Sequence, residues 1–145
     1  GTDRTGGDRI DCNSFSHRRL VRDAHESDQN ELSYFLTAHP DDSRRKVLAR
    51  REQHRVDDRP DRGGRVQMLV DDVVDFQLEY LDPLSGEWVT RWDTTQAAGQ
   101  PNRLPSQVKI ILTVPHPNIR GRNVTYGTRA DVPIRYGLNH AVYNP

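Results

Sequence analysis

Apolar residues recur at every second position along much of the chain, which is the signature of half-buried β-strands. Phe76, Leu78 and Tyr80 alternate with Gln77 and Glu79, and a tight Pro83-Leu84-Ser85-Gly86 connection leads to Trp88, Thr90 and Trp92. This predicts a hairpin that carries both tryptophans on one face. Val66, Met68 and Val70 form a shorter strand before it, and Val108, Ile110, Leu112 and Val114 a longer one after it. Ile111 faces the other way, so that side of the last strand can also be covered. Leu32, Tyr34 and Leu36 alternate as well, and a segment from Val47 to Glu52 returns as their partner after a turn from Ala38 to Ser43.

The period changes only between Val70 and Phe76. Val70, Val73 and Val74 fall at i, i+3 and i+4, with Asp71 and Asp72 where a helix dipole favours carboxylates, which predicts one or two helical turns. Three stretches read as loops: the charged run from Arg55 to Gly64, the Gln/Gly/Pro run from Thr94 to Pro105 and the proline-rich run from Pro115 to Gly121. The expected class is α+β, a single domain over residues 1–145 dominated by antiparallel sheet with minor helix. Internal repeats and low-complexity tracts are absent.

At 145 residues the chain can bury about two-thirds of its unfolded surface in one core, without disulfide or metal staples. Its 21 basic and 21 acidic residues cancel, which removes the electrostatic footprint of a nucleic-acid binder and of a protein held on anionic lipid. No run of about 18 apolar residues spans a membrane and no apolar signal region is visible. The chain opens on Gly1, which is read as a trimmed fragment of a longer precursor. Cys12, the single cysteine, lies in the alternating run Ile10-Asp11-Cys12-Asn13-Ser14 and is expected to pack inward. A catalytic role would need a base such as His17 or His25 beside it to lower its pKa.

Asp57, Asp58 and Asp61, with Gly63 and Gly64, offer hard oxygen ligands on a loop and are a weak calcium candidate. Arg55, Arg59, Arg62 and Arg65 interleave with them and would neutralise the site, so a solvated loop with weak ion pairs is the preferred account. Asp71, Asp72 and Asp75 are residue types that serve as general acid and base, but they read better as helix-start and strand-start residues. The six histidines form no short ligand pair, and no nucleophile elbow, phosphate loop or dinucleotide fingerprint is present. Tyr80, Trp88 and Trp92 could line an aromatic platform for a sugar or peptide, set against a core role for the same side chains. Asn123-Val124-Thr125 matches a glycosylation acceptor, a pattern too common to carry weight. No catalytic residue and no cofactor is expected.

In order along the chain stand Leu32-Ser33-Tyr34-Phe35-Leu36, Leu48-Ala49-Arg50-Arg51, the segment from Leu69 to Phe76, Glu79-Tyr80-Leu81-Asp82, Gly86-Glu87-Trp88, Trp92 and Leu104-Pro105-Ser106-Gln107-Val108-Lys109-Ile110. Their order and spacing resemble minor pseudopilin J of bacterial type II secretion systems. The resemblance covers roughly residues 30–114 and is most specific at Val73, Phe76, Tyr80, Asp82, Gly86, Trp88, Trp92, Leu104 and Pro105, with Leu32 and Tyr34 as further structural positions.

The resemblance implies a non-enzymatic periplasmic head with a pilin-like fold, normally carried on an N-terminal hydrophobic helix that anchors a methylated precursor in the inner membrane and is missing here. It implies partners among the other minor pseudopilins, types I and K with H as a further candidate, in a complex at the pseudopilus tip. That complex primes assembly of the fibre and supports export of folded proteins across the outer membrane. It implies no nucleic-acid partner, and membrane contact only through that helix. The alternatives are a minor pilin of a type IV pilus or DNA-uptake system, and a carbohydrate- or peptide-binding β-domain using Trp88 and Trp92. Residues 1–29 and 115–145 carry no part of the resemblance, and the insert from Asp41 to Arg65 looks specific to this branch.

Overall fold

The computed structural model describes residues 7–14, 30–54 and 63–134, which form eight β-strands and, among the described residues, no helix. They fall into two compact units, one built from residues 7–14, 30–54, 63–76 and 112–125, the other from 77–111 and 126–134. The strands are β1 (Ile10–Ser14), β2 (Asn30–Ala38), β3 (Lys46–Gln53), β4 (Arg65–Val70), β5 (Asp75–Leu81), β6 (Trp88–Val89), β7 (Gln107–Pro115) and β8 (Asn123–Asp131). They make two four-stranded sheets with spatial orders β1-β2-β3-β4 and β6-β5-β7-β8. The expected antiparallel sheet is present.

The first sheet is a meander in which every neighbour runs antiparallel. Its two inner strands carry the burial: Leu32, Leu36, Val47, Leu48 and Ala49 are buried, joined in the same unit by Val73 and Phe76. Alternation alone does not describe β2 and β3, because both of their faces are covered. Asn30, Glu31, Ser33 and Arg51 are buried too, and the pleat resolves some of this cost with a polar rung. Asp11, Ser33 and Arg51 stand directly opposite one another on three strands. Ser33 Oγ donates to Asp11 Oδ1 at 2.5 Å, and Arg51 donates to Ser33 Oγ at 2.8 Å and to the Gly63 carbonyl at 3.2 Å. A buried polar group without such a partner would cost about 1–3 kcal/mol, so the rung fixes register while satisfying Ser33 and the terminal nitrogens of Arg51.

Two expectations fail here for physical reasons. Cys12 is exposed rather than packed inward. It lies on β1, which among the described residues is an end strand with β2 as its neighbour, and only the ends of that strand, Ile10 and Ser14, are half-buried. The helical turns expected between Val70 and Phe76 are also absent. Asp72 adopts a φ of 53°, outside the helical region, and Arg45 draws Asp71 and Asp72 to itself at 3.0 and 2.5 Å. Val73 is buried by this bend while Val74 is exposed, so the i, i+3, i+4 spacing came from a tight link between two strands.

In the second unit, Leu78 and Tyr80 of β5 are buried, and Gln77 and Glu79 point to the opposite face. The observed β6 is two residues long, so the strand expected to reach Trp92 stops after Val89. β7 is half-buried along nearly its whole length and β8 is exposed along nearly all of it. This last strand was not foreseen, because nothing in its polar sequence needs burying.

Candidate functional site

After Leu81 the chain reverses through a turn that Asp82 organises. Asp82 N–H donates to the Glu87 carbonyl at 2.9 Å, Gly86 N–H to the Asp82 carbonyl at 2.8 Å, and Leu84 N–H to Asp82 Oδ1 at 2.9 Å. Gly86 closes the turn at a φ of 73°, a conformation that a side chain disfavours. The other carboxylate oxygen accepts from Arg103 Nη2 at 2.8 Å. The Arg103 bond first, and the Leu84 N–H after it, hold the Asp82 carboxyl below the usual carboxylate range.

Arg103 also meets Trp92. Its guanidinium lies 5.6 Å from the indole centroid, its carbonyl accepts from Trp92 Nε1 at 3.1 Å, and Tyr80 stacks obliquely on Trp92 at 6.3 Å. The loop between them is closed by Asp93, which accepts from Thr95 Oγ1 at 2.6 Å through its side chain and from Gln100 N–H at 2.8 Å through its carbonyl. Ser106 N–H then donates to the Leu81 carbonyl at 2.9 Å, and Pro105 beside it is buried. The irregular run from Thr90 to Pro105 is therefore anchored to β5 by side chains in place of a ladder.

A second aromatic group stands on the other side of β5. The register sets Leu81 opposite Trp88 and Tyr80 opposite Val89, so Trp88 shares a face with Leu81 and Glu79 while Tyr80 faces away. Lys109 Nζ sits 4.4 Å from the Trp88 centroid and pairs with the Glu79 carboxylate. Arg129 on β8 approaches the same indole, at 5.4 Å. Both cations are close enough to be attracted by the ring quadrupole.

Trp88 and Trp92 therefore lie on opposite sides of β5, against the expectation of a shared face. The pair offers no continuous platform for a sugar ring. The reason is local: the chain leaves the sheet after Val89, and Trp92 folds back toward Tyr80. Arg103, Lys109 and Arg129 were missed by sequence reasoning, since each sits at least ten residues from the indole it meets and no spacing rule links them.

The remaining sequence candidates are scattered. Asp57, Asp58 and Asp61 lie outside the described residues, as do His17 and His25. Among the described residues no group of three His, Cys, Asp or Glu is placed to hold a metal ion. Asp71 and Asp72 are occupied by Arg45, whose hydrogen bond holds the Asp72 carboxyl low, while Asp75 is half-buried on β5. Although Cys12 is exposed as a residue, desolvation of its sulfur beside the neighbouring strand and then the Asp11 charge raise the thiol, which opposes formation of a reactive thiolate. Leu32, Val73 and Phe76 are buried in the first unit, where Tyr34 is half-buried. Leu104 is half-buried in the second.

The sequence description of the family "Type II secretion system (T2SS), protein J" matches residues 18–122. The chain belongs to that family of minor pseudopilins, structural components of the type II secretion system. The matched span takes in β2 to β7 and both aromatic clusters apart from Arg129, and it ends just before β8, which starts at Asn123. No curated protein matches the chain. Among the described residues no helix is long and apolar enough to cross a membrane.

Proposed function

We propose that the protein works as a structural subunit of the pseudopilus tip, where its periplasmic head joins minor pseudopilins I and K, and H beyond them, to prime fibre assembly and support export of folded proteins. In this reading residues 1–145 act as one head of α+β, pilin-like class, carried on an N-terminal hydrophobic helix in the inner membrane. The family match over residues 18–122 carries the proposal. The geometry agrees with it, because the charged and aromatic side chains of the second unit hold a loop and a sheet face in place, and such a role works through surface without a reaction.

The test is association of heads. Mixed at tens of micromolar with the purified heads of the cognate I and K subunits, the protein is expected to elute from a sizing column as one complex, since a dissociation constant in the low micromolar range corresponds to about 8 kcal/mol. Separate elution of all three heads would overturn the tip assignment.

A further inference from the structure

Among the described residues the strand β8 ends the second sheet on one side, and its residues from Tyr126 to Asp131 are exposed. Its hydrogen-bonding direction follows from the register. Val132 N–H donates to the Ser106 carbonyl at 3.0 Å, and the Gln107 side chain donates to Asp131 at 2.8 Å, so residues whose numbers sum alike face one another across β7 and β8. In an antiparallel pair the bonded residues alternate. Ala130 and Thr128 therefore point their backbone groups at β7, and Gly127, Arg129 and Asp131 point theirs at the open edge.

This edge has few of the usual protections. Natural edge strands are blunted by proline, bulges or charged side chains, lysine above all; Tyr126 to Asp131 contains no proline and no lysine, and its protection is two opposite charges, Arg129 and Asp131. Tyr126 keeps 58 % of its surface exposed. Arg129, whose backbone faces outward, is steered over the Trp88 indole, and among the described residues it pairs with no carboxylate. Nearby, Lys109 is matched by Glu79 and Asp131 is bonded by Gln107, so Arg129 is the charge left to be met.

We propose that the β8 edge from Tyr126 to Asp131 takes an extended strand of another minor pseudopilin, with a carboxylate side chain opposite Arg129. The proposal rests on the tip-subunit reading above and names the surface that does its work. Strand addition supplies backbone bonds at Gly127, Arg129 and Asp131, and side-chain pairing supplies selectivity. A cross-strand neighbour lies about 5 Å away, so an acidic residue opposite Arg129 is favoured, a basic or neutral one opposite Asp131, and an aromatic or β-branched one beside Tyr126. A strand with those features in the opposite order sets like charges against one another and is rejected.

Proline at position 127 removes an outward donor while leaving the bonds to β7 intact, so the test is Gly127→Pro, with Arg129→Glu as the charge reversal. Each variant is first checked for the wild-type thermal midpoint and far-UV dichroism, then titrated against the purified I and K heads. Wild type is expected to bind one of them, Gly127→Pro about tenfold more weakly, the loss expected for one or two such bonds, and Arg129→Glu several-fold more weakly with the gap widening at low salt. Amide exchange in the wild-type complex, which needs no variant, should slow at Gly127 and Arg129 and not at Asp41 or Asp42.

Wild-type binding that Gly127→Pro and Arg129→Glu leave unchanged, with no slowing at those amides, overturns the edge and leaves the tip reading standing. No binding by wild type overturns both. Dimerisation of the head by itself, lost in Gly127→Pro, would assign the edge to a second copy and overturn the proposal as stated.

Discussion

The two faces of β5 carry the same three kinds of side chain to different ends. On one side Trp92, Arg103 and Asp82 meet beside Tyr80; on the other Trp88, Lys109 and Glu79 meet beside Arg129. In the first cluster the indole N–H and both carboxylate oxygens are bound to groups of the loop and turn, and the Asp82 side chain keeps only 10 % of its surface in water. In the second, Glu79 and Lys109 remain 30 % and 25 % exposed, and the described contacts are between side chains alone. An aromatic, a cation and a carboxylate thus define no function by being together. What separates a loop anchor from an open surface is whether backbone groups are wired into the cluster and how far water is excluded.

Truncating each tryptophan is the widest test of that contrast. Trp92→Ala removes a ring that packs on Tyr80 and Arg103 and leaves the Arg103 carbonyl without its donor, so a loss of about 3 kcal/mol is expected, at the low end for a buried aromatic because Trp92 is half-buried. Trp88→Ala should cost less, about 2 kcal/mol, because that ring is half-buried too but takes no described hydrogen bond with it, only apolar area and its contacts with Lys109 and Arg129. Urea denaturation followed by far-UV dichroism measures both. Equal losses would mean that the Trp88 face is structural too.

Acid should act on the same cluster selectively. The folded Asp82 carboxyl is held below its ordinary value by Arg103 and then by the Leu84 N–H, so the stability it contributes is complete above about pH 4, where the unfolded group ionises, and is lost as pH falls through the lower folded value. Asp11, Asp42, Asp72 and Asp93 are also held low, so the slope of stability against pH belongs to all of them. The difference between wild type and Asp82→Asn isolates one. That difference in urea midpoint is expected to be constant from pH 7 to about pH 5 and to shrink below about pH 4. A difference that persists to lower pH would mean that the carboxylate charge is not what holds the turn.

The strands with a buried face were legible in sequence, and the anchoring was not. β2, β5 and β7 announce themselves by alternation because Leu32, Leu36, Phe76, Leu78 and Val108 leave water on one side, while β3, with Val47, Leu48 and Ala49 buried in a row, is legible only as the partner that returns after the turn. β8 has no such need, and its residues are strand because β7 offers them a ladder, a cause that lies outside the strand itself. The Val70-Val73-Val74 spacing misled because two valines near a chain reversal mimic a helical turn, while Asp72 at φ 53° rules one out. Cys12 misled because alternation says which residues share a side and not whether that side is covered. For the candidate site, Tyr80, Asp82, Gly86, Trp88 and Trp92 could be picked out from their order, but their partners Arg103, Lys109 and Arg129 come from later strands and loops, and only the fold brings them in.

The finest test of the contrast is the coupling within each charged pair. In a double-mutant cycle, Glu79→Gln with Lys109→Met should show a coupling of about 0.5 kcal/mol or less, since both groups stay partly hydrated and solvent screens the pair. Salt at about 0.5 M should abolish it, because the Debye length then falls to about 4 Å. Asp82→Asn with Arg103→Met should couple more strongly and resist salt, because Asp82 is buried and its second oxygen is committed to the Leu84 N–H. A coupling for Glu79 and Lys109 above about 1.5 kcal/mol would place that face among the rigid parts of the molecule. It would then be a poor place for β8 to accept an incoming strand, because Arg129 must stay free to turn from the Trp88 ring toward a partner's carboxylate.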